Sequence, residues 1–179
     1  MVWARWKVSG KMIRARLLGG GFIACAIVWK GIWEARKLRE RVEFLKAIVM
    51  SLETIKSEIA FGRYELSYIF GRLKPEKDRG FFALCEKHLD ELGICGAWNN
   101  ALDECGTEEF LKAGDISVIY QLGNELGKSD VGGQKNSIDK VVNELRKIIE
   151  MAEEDNQRLG KVYRGCSILL GVFIMIILL

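Results

Sequence analysis

Apolar and polar positions along this chain alternate with the period of an α-helix. Leu38, Val42, Leu45, Val49, Leu52, Ile55 and Ile59 are spaced by three or four residues. That spacing puts them on one face of a long helix, predicted over 34–62 with Gly62 as its terminator. Leu66, Ile69, Phe70 and Leu73 predict a second helix over 65–73. It closes at Lys74-Pro75 because the residue before a proline is pushed out of the helical region. A third helix is predicted over 78–92, with Asp78 as N-cap and Gly93 as its stop. A short fourth, over 95–105, carries Trp98, Ala101 and Leu102. The fifth, over 108–126, has Thr107 as N-cap and Glu108 and Glu109 in the first turn, where the helix dipole favours acids. It presents Phe110, Leu111, Ile116, Ile119, Tyr120 and Leu122.

Gly127-Lys128-Ser129-Asp130 is the clearest turn. Beyond it, Ile138, Val141, Val142, Leu145, Ile148, Ile149, Ala152, Leu159 and Val162 predict a last long helix. No stretch alternates with period two. The expectation is an all-α helical bundle of about six helices. The two long helices pair antiparallel and the shorter ones pack at the far end.

The pattern changes at both ends. Residues 17–33 are apolar except for Lys30, and residues 166–179 carry no charged side chain. Both runs are shorter than the roughly 20 residues of a spanning helix. Lys30 lies near the edge of the first run, where its ammonium could snorkel to an interface beside Trp29 and Trp33. The terminal run has no polar face, which a surface helix of a soluble bundle would need. Both runs are therefore read as membrane segments, with a pair of core helices as the competing reading. An export signal ending at the lipoprotein-like Phe22-Ile23-Ala24-Cys25 is set aside, because the apolar run continues through Trp29. The chain is thus divided into a basic tail (1–16), a membrane segment (17–33), a helical domain (34–163) and a C-terminal membrane segment (164–179).

Composition sharpens this division. Hydrophobic residues are 49% and charged residues 28%, but the apolar ones concentrate at the ends. One proline in 179 residues suits long uninterrupted helices. The net charge of +3 is too small for a dedicated nucleic-acid binder. The basic residues flank the first apolar run instead: Arg5, Lys7, Lys11, Arg14 and Arg16 before it, and Arg36, Lys37, Arg39 and Arg41 after it. They read as contacts to an anionic membrane surface. Arg158, Lys161 and Arg164 precede the second run, which puts the helical domain on the cytoplasmic side. Two spans would leave a strongly basic tail outside, so the natural start is expected at Met12. Five cysteines, an odd number, fit a reducing compartment.

Little in the chain invites catalysis. His88, the one histidine, has no evident nucleophile or orienting partner, and reads as a solvated helix residue. Cys85, Cys95 and Cys105 lack zinc-ligand spacing and read as half-buried apolar residues. Gly123-x-x-x-Gly127-Lys128-Ser129 is one residue short of a phosphate loop and follows a helix, not a strand. Glu150, Glu153, Glu154 and Asp155 form a solvated helix face. No catalytic residue, metal ligand or cofactor is expected.

One segment is distinctive. Residues 120–135 read Tyr-Gln-Leu-Gly-Asn-Glu-Leu-Gly-Lys-Ser-Asp-Val-Gly-Gly-Gln-Lys, with Gly123, Leu126, Gly127, Asp130 and Gln134 in a particular order. With Glu58-Ile59, with Trp98 in Ala97-Trp98-Asn99-Asn100-Ala101-Leu102, and with the two apolar ends, this resembles the stage III sporulation protein AB family of endospore-forming Firmicutes. The chain departs from the family at Tyr64-Glu65-Leu66, where Thr-Pro-Leu is common. The resemblance implies a non-enzymatic scaffold in the channel between mother cell and forespore. It also implies similarity to the cytoplasmic domain of type II secretion and type IV pilus platform proteins. The implied partners are the membrane, a mother-cell ATPase and other channel subunits of the same operon, with no nucleic acid and with homo-oligomers allowed. Asp130 would then cap the last helix and Gln134 would bond back to the turn. A membrane-attached regulatory adaptor with no channel is the competing reading.

Overall fold

The computed structural model describes the backbone of residues 3–61, 65–73 and 77–178, and their side chains except for 3–18, Met175 and Leu178. Among the described residues the chain is all-helical, with no strand. The elements are α1 (Trp3–Phe61), α2 (Leu66–Arg72), α3 (Phe81–Glu104), a 3-10 turn (Thr107–Glu109), α4 (Ala113–Glu125) and α5 (Val131–Leu178). Two compact units are formed, Arg39–Glu154 and a terminal unit of Met1–Leu38 with Asp155–Leu179.

The central unit is built on the predicted stripe. Val42, Leu45, Val49, Leu52, Ile55 and Ile59 of α1 are all buried. All but Val42 share one core with Ile119 and Leu122 of α4 and Ile138, Val141 and Leu145 of α5. Burying each such side chain contributes roughly 1.5–3 kcal/mol. Ion pairs at the rim set the direction of α5 against α1: Lys46 with Glu153, Glu53 with Arg146, and Lys56 with Asp139 at 2.5 Å. As α1 ascends α5 descends, so the two run antiparallel here, the arrangement expected for the two long helices. An aromatic cluster fills the space under α2 and α3. Trp98 stands edge-on to Phe81 at 4.8 Å, with Phe82 and Phe70 about it at 6.1 and 6.2 Å.

Several boundaries differ from the sequence reading. The first long helix begins at Trp3, not near residue 34, and Gly62 lies outside the described residues, as do Tyr64, Lys74 and Pro75. The expected third and fourth helices are the two arms of α3, which meet at Gly93, where the backbone leaves the helical region (φ 66°, ψ 177°). A Cβ there would meet nothing within 4 Å, so backbone conformation and not space demands the glycine. Asp78 caps three residues ahead of the helix: its carboxylate accepts from the Gly80 and Phe82 amides at 3.0 and 3.2 Å. The fifth helix is shorter than 108–126. Thr107 turns its hydroxyl back to the Leu102 carbonyl (3.0 Å) and lies with Glu108 and Glu109 inside the 3-10 turn, ahead of α4, whose N-cap position is Lys112. Asp115 takes the acidic position in the first turn of α4 instead.

In the terminal unit α1 and α5 approach through small residues. A Cβ on Gly31 would overlap the Ser167 side chain, and one on Gly171 would press on Val28 at 3.2 Å. Ala24, Ala35 and Ser167 are buried along the same line. Among the described residues no helix is long and apolar enough to cross a membrane. The side chains of Leu17, Leu18, Met175 and Leu178 in the two apolar runs fall outside that set.

Candidate functional site

The segment singled out by its residue order forms the connection from α4 to α5, and each of its five marked residues has a defined place. Gly123 faces Trp98, whose indole ring occupies the space a Cβ would take. The same indole donates its Nε1–H to the Ile119 carbonyl at 2.9 Å, so the ring is held against α4 from two sides. Leu126 is buried in the core. Gly127 adopts φ +78°, and a Cβ on it would meet Ile94 Cδ1 at 2.6 Å. Its positive φ and this close approach both call for glycine. Asp130 accepts the Gly133 amide at 2.9 Å, the N-cap to N3 bond that opens α5. Gln134 donates from Nε2 to the Ser129 carbonyl at 2.9 Å, closing the turn from the other side. Glu125 joins the ends of both helices. Its carboxylate bonds the Ser137 hydroxyl and the Gln121 amide, and these bonds hold its pKa below the ordinary carboxylate value.

The turn thus packs on the arm of α3 that follows Gly93. Trp98 and Ile94 meet Gly123 and Gly127, and the Cys95 thiol donates to Asn124 Oδ1 at 3.0 Å. Lys128, Ser129, Val131 and Gly132 face outward.

A second constellation escaped the sequence reading. Arg41 and Asp115, 74 positions apart, form a two-pronged ion pair with Nε–Oδ2 at 2.7 Å and Nη2–Oδ1 at 3.0 Å. Both residues are under 5% exposed. Asp115 Oδ2 also accepts the Lys112 amide at 3.0 Å, which ties the start of α4 to α1. Arg41 is therefore not a contact to an anionic surface, because its charge is already matched inside the core. Arg39 pairs with Glu43 at 2.7 Å, and this bond is the main reason Glu43 titrates below its ordinary value. Nearby, Arg79 holds a left-handed backbone (φ 53°) while it bonds Glu40 at 2.9 Å and covers the Phe110 ring at 4.4 Å.

The remaining candidates are placed without chemistry. The His88 side chain is only 14% exposed, with Nε2 2.9 Å from Glu104 Oε1, so it faces the far arm of α3 and not solvent. Cys85 and Cys105 are buried, and Cys95 is half-buried. Burial pushes the Cys85 thiol up strongly and the Cys105 thiol up to about 11, so both are held as thiols at neutral pH. Glu153 of the acidic face pairs with Lys46. Among the described residues no cluster of three potential metal ligands is present.

The model of the family described as stage III sporulation protein AB matches residues 16–179. The chain belongs to that family. A curated relative, the stage III sporulation protein AB of Bacillus subtilis (strain 168), is 23% identical over 169 residues, covering 92% of this chain and 99% of the relative. No solved structure matches. The family assignment places the chain among stage III sporulation proteins and carries no catalytic activity in its name.

Proposed function

We propose that this chain is a non-enzymatic, membrane-anchored platform subunit of the channel complex between mother cell and forespore. It works beside an ATPase and the other channel subunits of the same operon, and its central unit lies in the mother-cell cytoplasm. The observation that carries the anchoring is the surface of the terminal unit. Phe22 is 78% exposed, Trp29 72%, Leu169 70% and Ile176 66%, and these side chains come from both helices. A contiguous apolar surface of that kind marks a membrane or protein contact. Two features favour the membrane. The apolar faces flank a seam of small residues, the way helices pair in lipid. The cations Arg158, Lys161 and Arg164 directly precede the second apolar run.

The platform role rests on family membership and on the build of the central unit. Its distinctive residues are spent on holding a turn rigid, which suits a docking surface better than a reaction site. The outward edge of that turn, at Lys128, Ser129, Val131 and Gly132, is what it offers a partner. The test is co-purification from sporulating cells after membrane solubilisation. The expected result is recovery of the chain in the membrane fraction, resistant to alkaline carbonate, together with the ATPase. Release by carbonate would sink the anchor. Recovery without any channel subunit would sink the platform and leave the adaptor reading.

A further inference from the structure

In the terminal unit, α1 and α5 leave a groove of about 770 Å³ beside their seam. Ala24, Cys25 and Val28 line it from α1, and Gly171, Val172 and Ile176 from α5, with no charged residue among the lining. The volume lies within the roughly 300–1,000 Å³ of small-molecule sites. One end of the groove is marked by charge. Gly31 abuts Ser167 and Tyr163, so the point where α1 turns from apolar to charged lies level with the point where α5 turns from charged to apolar. Across residues 30–37 and 155–164 this boundary holds six cations, Lys30, Arg36, Lys37, Arg158, Lys161 and Arg164, against two acids, Glu34 and Asp155. Trp29 and Trp33 are exposed at the same level.

An apolar trough ending at a cationic, aromatic rim matches a molecule with an apolar tail and an anionic head. We propose that the groove holds an acyl chain of an anionic phospholipid whose phosphate is met by Arg164 and Lys161, one and two turns before the lining residue Ile168 on the same face of α5. This rests on the anchoring reading above and adds lipid selectivity to it. A zwitterionic lipid would fit the groove equally well but would bring no net charge to the rim. Selectivity therefore comes from the cations and retention from the groove, and the two can be separated by mutation.

The test uses the full chain in a non-ionic detergent with an equimolar mixture of phosphatidylglycerol and phosphatidylcholine of identical acyl chains, read by native mass spectrometry. At about 1 kcal/mol per cation near an anionic surface, a preference of about tenfold or more for phosphatidylglycerol is expected. The double variant Lys161→Gln, Arg164→Gln should bring the ratio close to one without lowering total retained lipid. Cys25→Trp, which fills the groove from an exposed position, should lower retention of both lipids. Equal retention by the unmodified chain, an unchanged ratio in the double variant, or full retention in Cys25→Trp overturns the proposal. So does loss of the preference on adding millimolar inorganic phosphate, which would make the rim a site for the free anion. Flotation with phosphatidylcholine vesicles separates the two readings. A chain that floats but shows no preference loses only the lipid site, and one that fails to float loses the anchor as well.

Discussion

At the scale of single residues, the central unit depends on a few side chains whose neighbours leave no room for change. Arg41 and Asp115 are both buried, so removing one partner strands the other charge in the core. Arg41→Ala is expected to destabilise the protein by about 3–5 kcal/mol, whereas replacing both by apolar residues of similar volume should be near neutral. Urea unfolding of the single and double variants, followed by circular dichroism, checks this. A double variant as unstable as the single would mean that the pair matters for more than mutual neutralisation. Gly123→Ala adds a methyl where the Trp98 ring already lies. A loss of about 1–3 kcal/mol is expected from that overpacking, with a change in near-ultraviolet signal from the displaced indole. Neither residue could be assigned its role from sequence. Arg41 sits in a run of basic residues after an apolar segment and looks like its neighbours. Only the approach of α4 to α1 distinguishes it.

At the scale of elements, the α4–α5 connection was the most legible part of the chain. Its signals are local: a glycine at positive φ, an N-cap aspartate and a side chain reaching back five residues all act within one turn. Asp130→Ala should weaken the start of α5 by about 1 kcal/mol. Faster amide exchange at Gly133, confined to the first turn, is the measurement. The same connection gives an acid response. Hydrogen bonds hold the Glu125 carboxylate below its ordinary value, and Glu43 is held likewise by Arg39. Groups lowered in the folded state contribute stability above their unfolded pKa and lose it as pH falls through the folded one. The protein should therefore unfold more easily below about pH 4.5, and Glu125→Gln should flatten that slope. Both groups are half-buried and still reached by water, which screens them, so the effect is modest. Helix ends elsewhere were less legible. Gly93 reads as a stop in the sequence, and the backbone does leave the helical region there, but a second arm of α3 resumes directly after it. Thr107 offered a cap, yet its hydroxyl found a carbonyl five residues back.

At the scale of the whole molecule, the two units differ in what their surfaces and interiors present. In detergent, a water-soluble maleimide at pH 8 should modify Cys25 and Cys166 quickly and leave Cys85 and Cys105 untouched until the protein is denatured. The first two are exposed, and the latter two are buried with raised thiol pKa values. In vesicles Cys25 should become protected, and undiminished labelling there would contradict the embedding of the terminal unit. Peptide mapping by mass spectrometry reads both conditions.

The sequence alone determined the helical class, the buried stripe of α1, the apolar ends and the tight turn between α4 and α5. All of these follow from spacing along the chain, and the forces involved act within a few residues. Tertiary structure decided which charges are structural and which face outward, because a guanidinium looks the same in sequence whether it meets water, lipid or a carboxylate 74 residues away. It also decided why Gly123 and Trp98 occur together, since a glycine's missing side chain becomes meaningful only when a distant ring comes to rest on it.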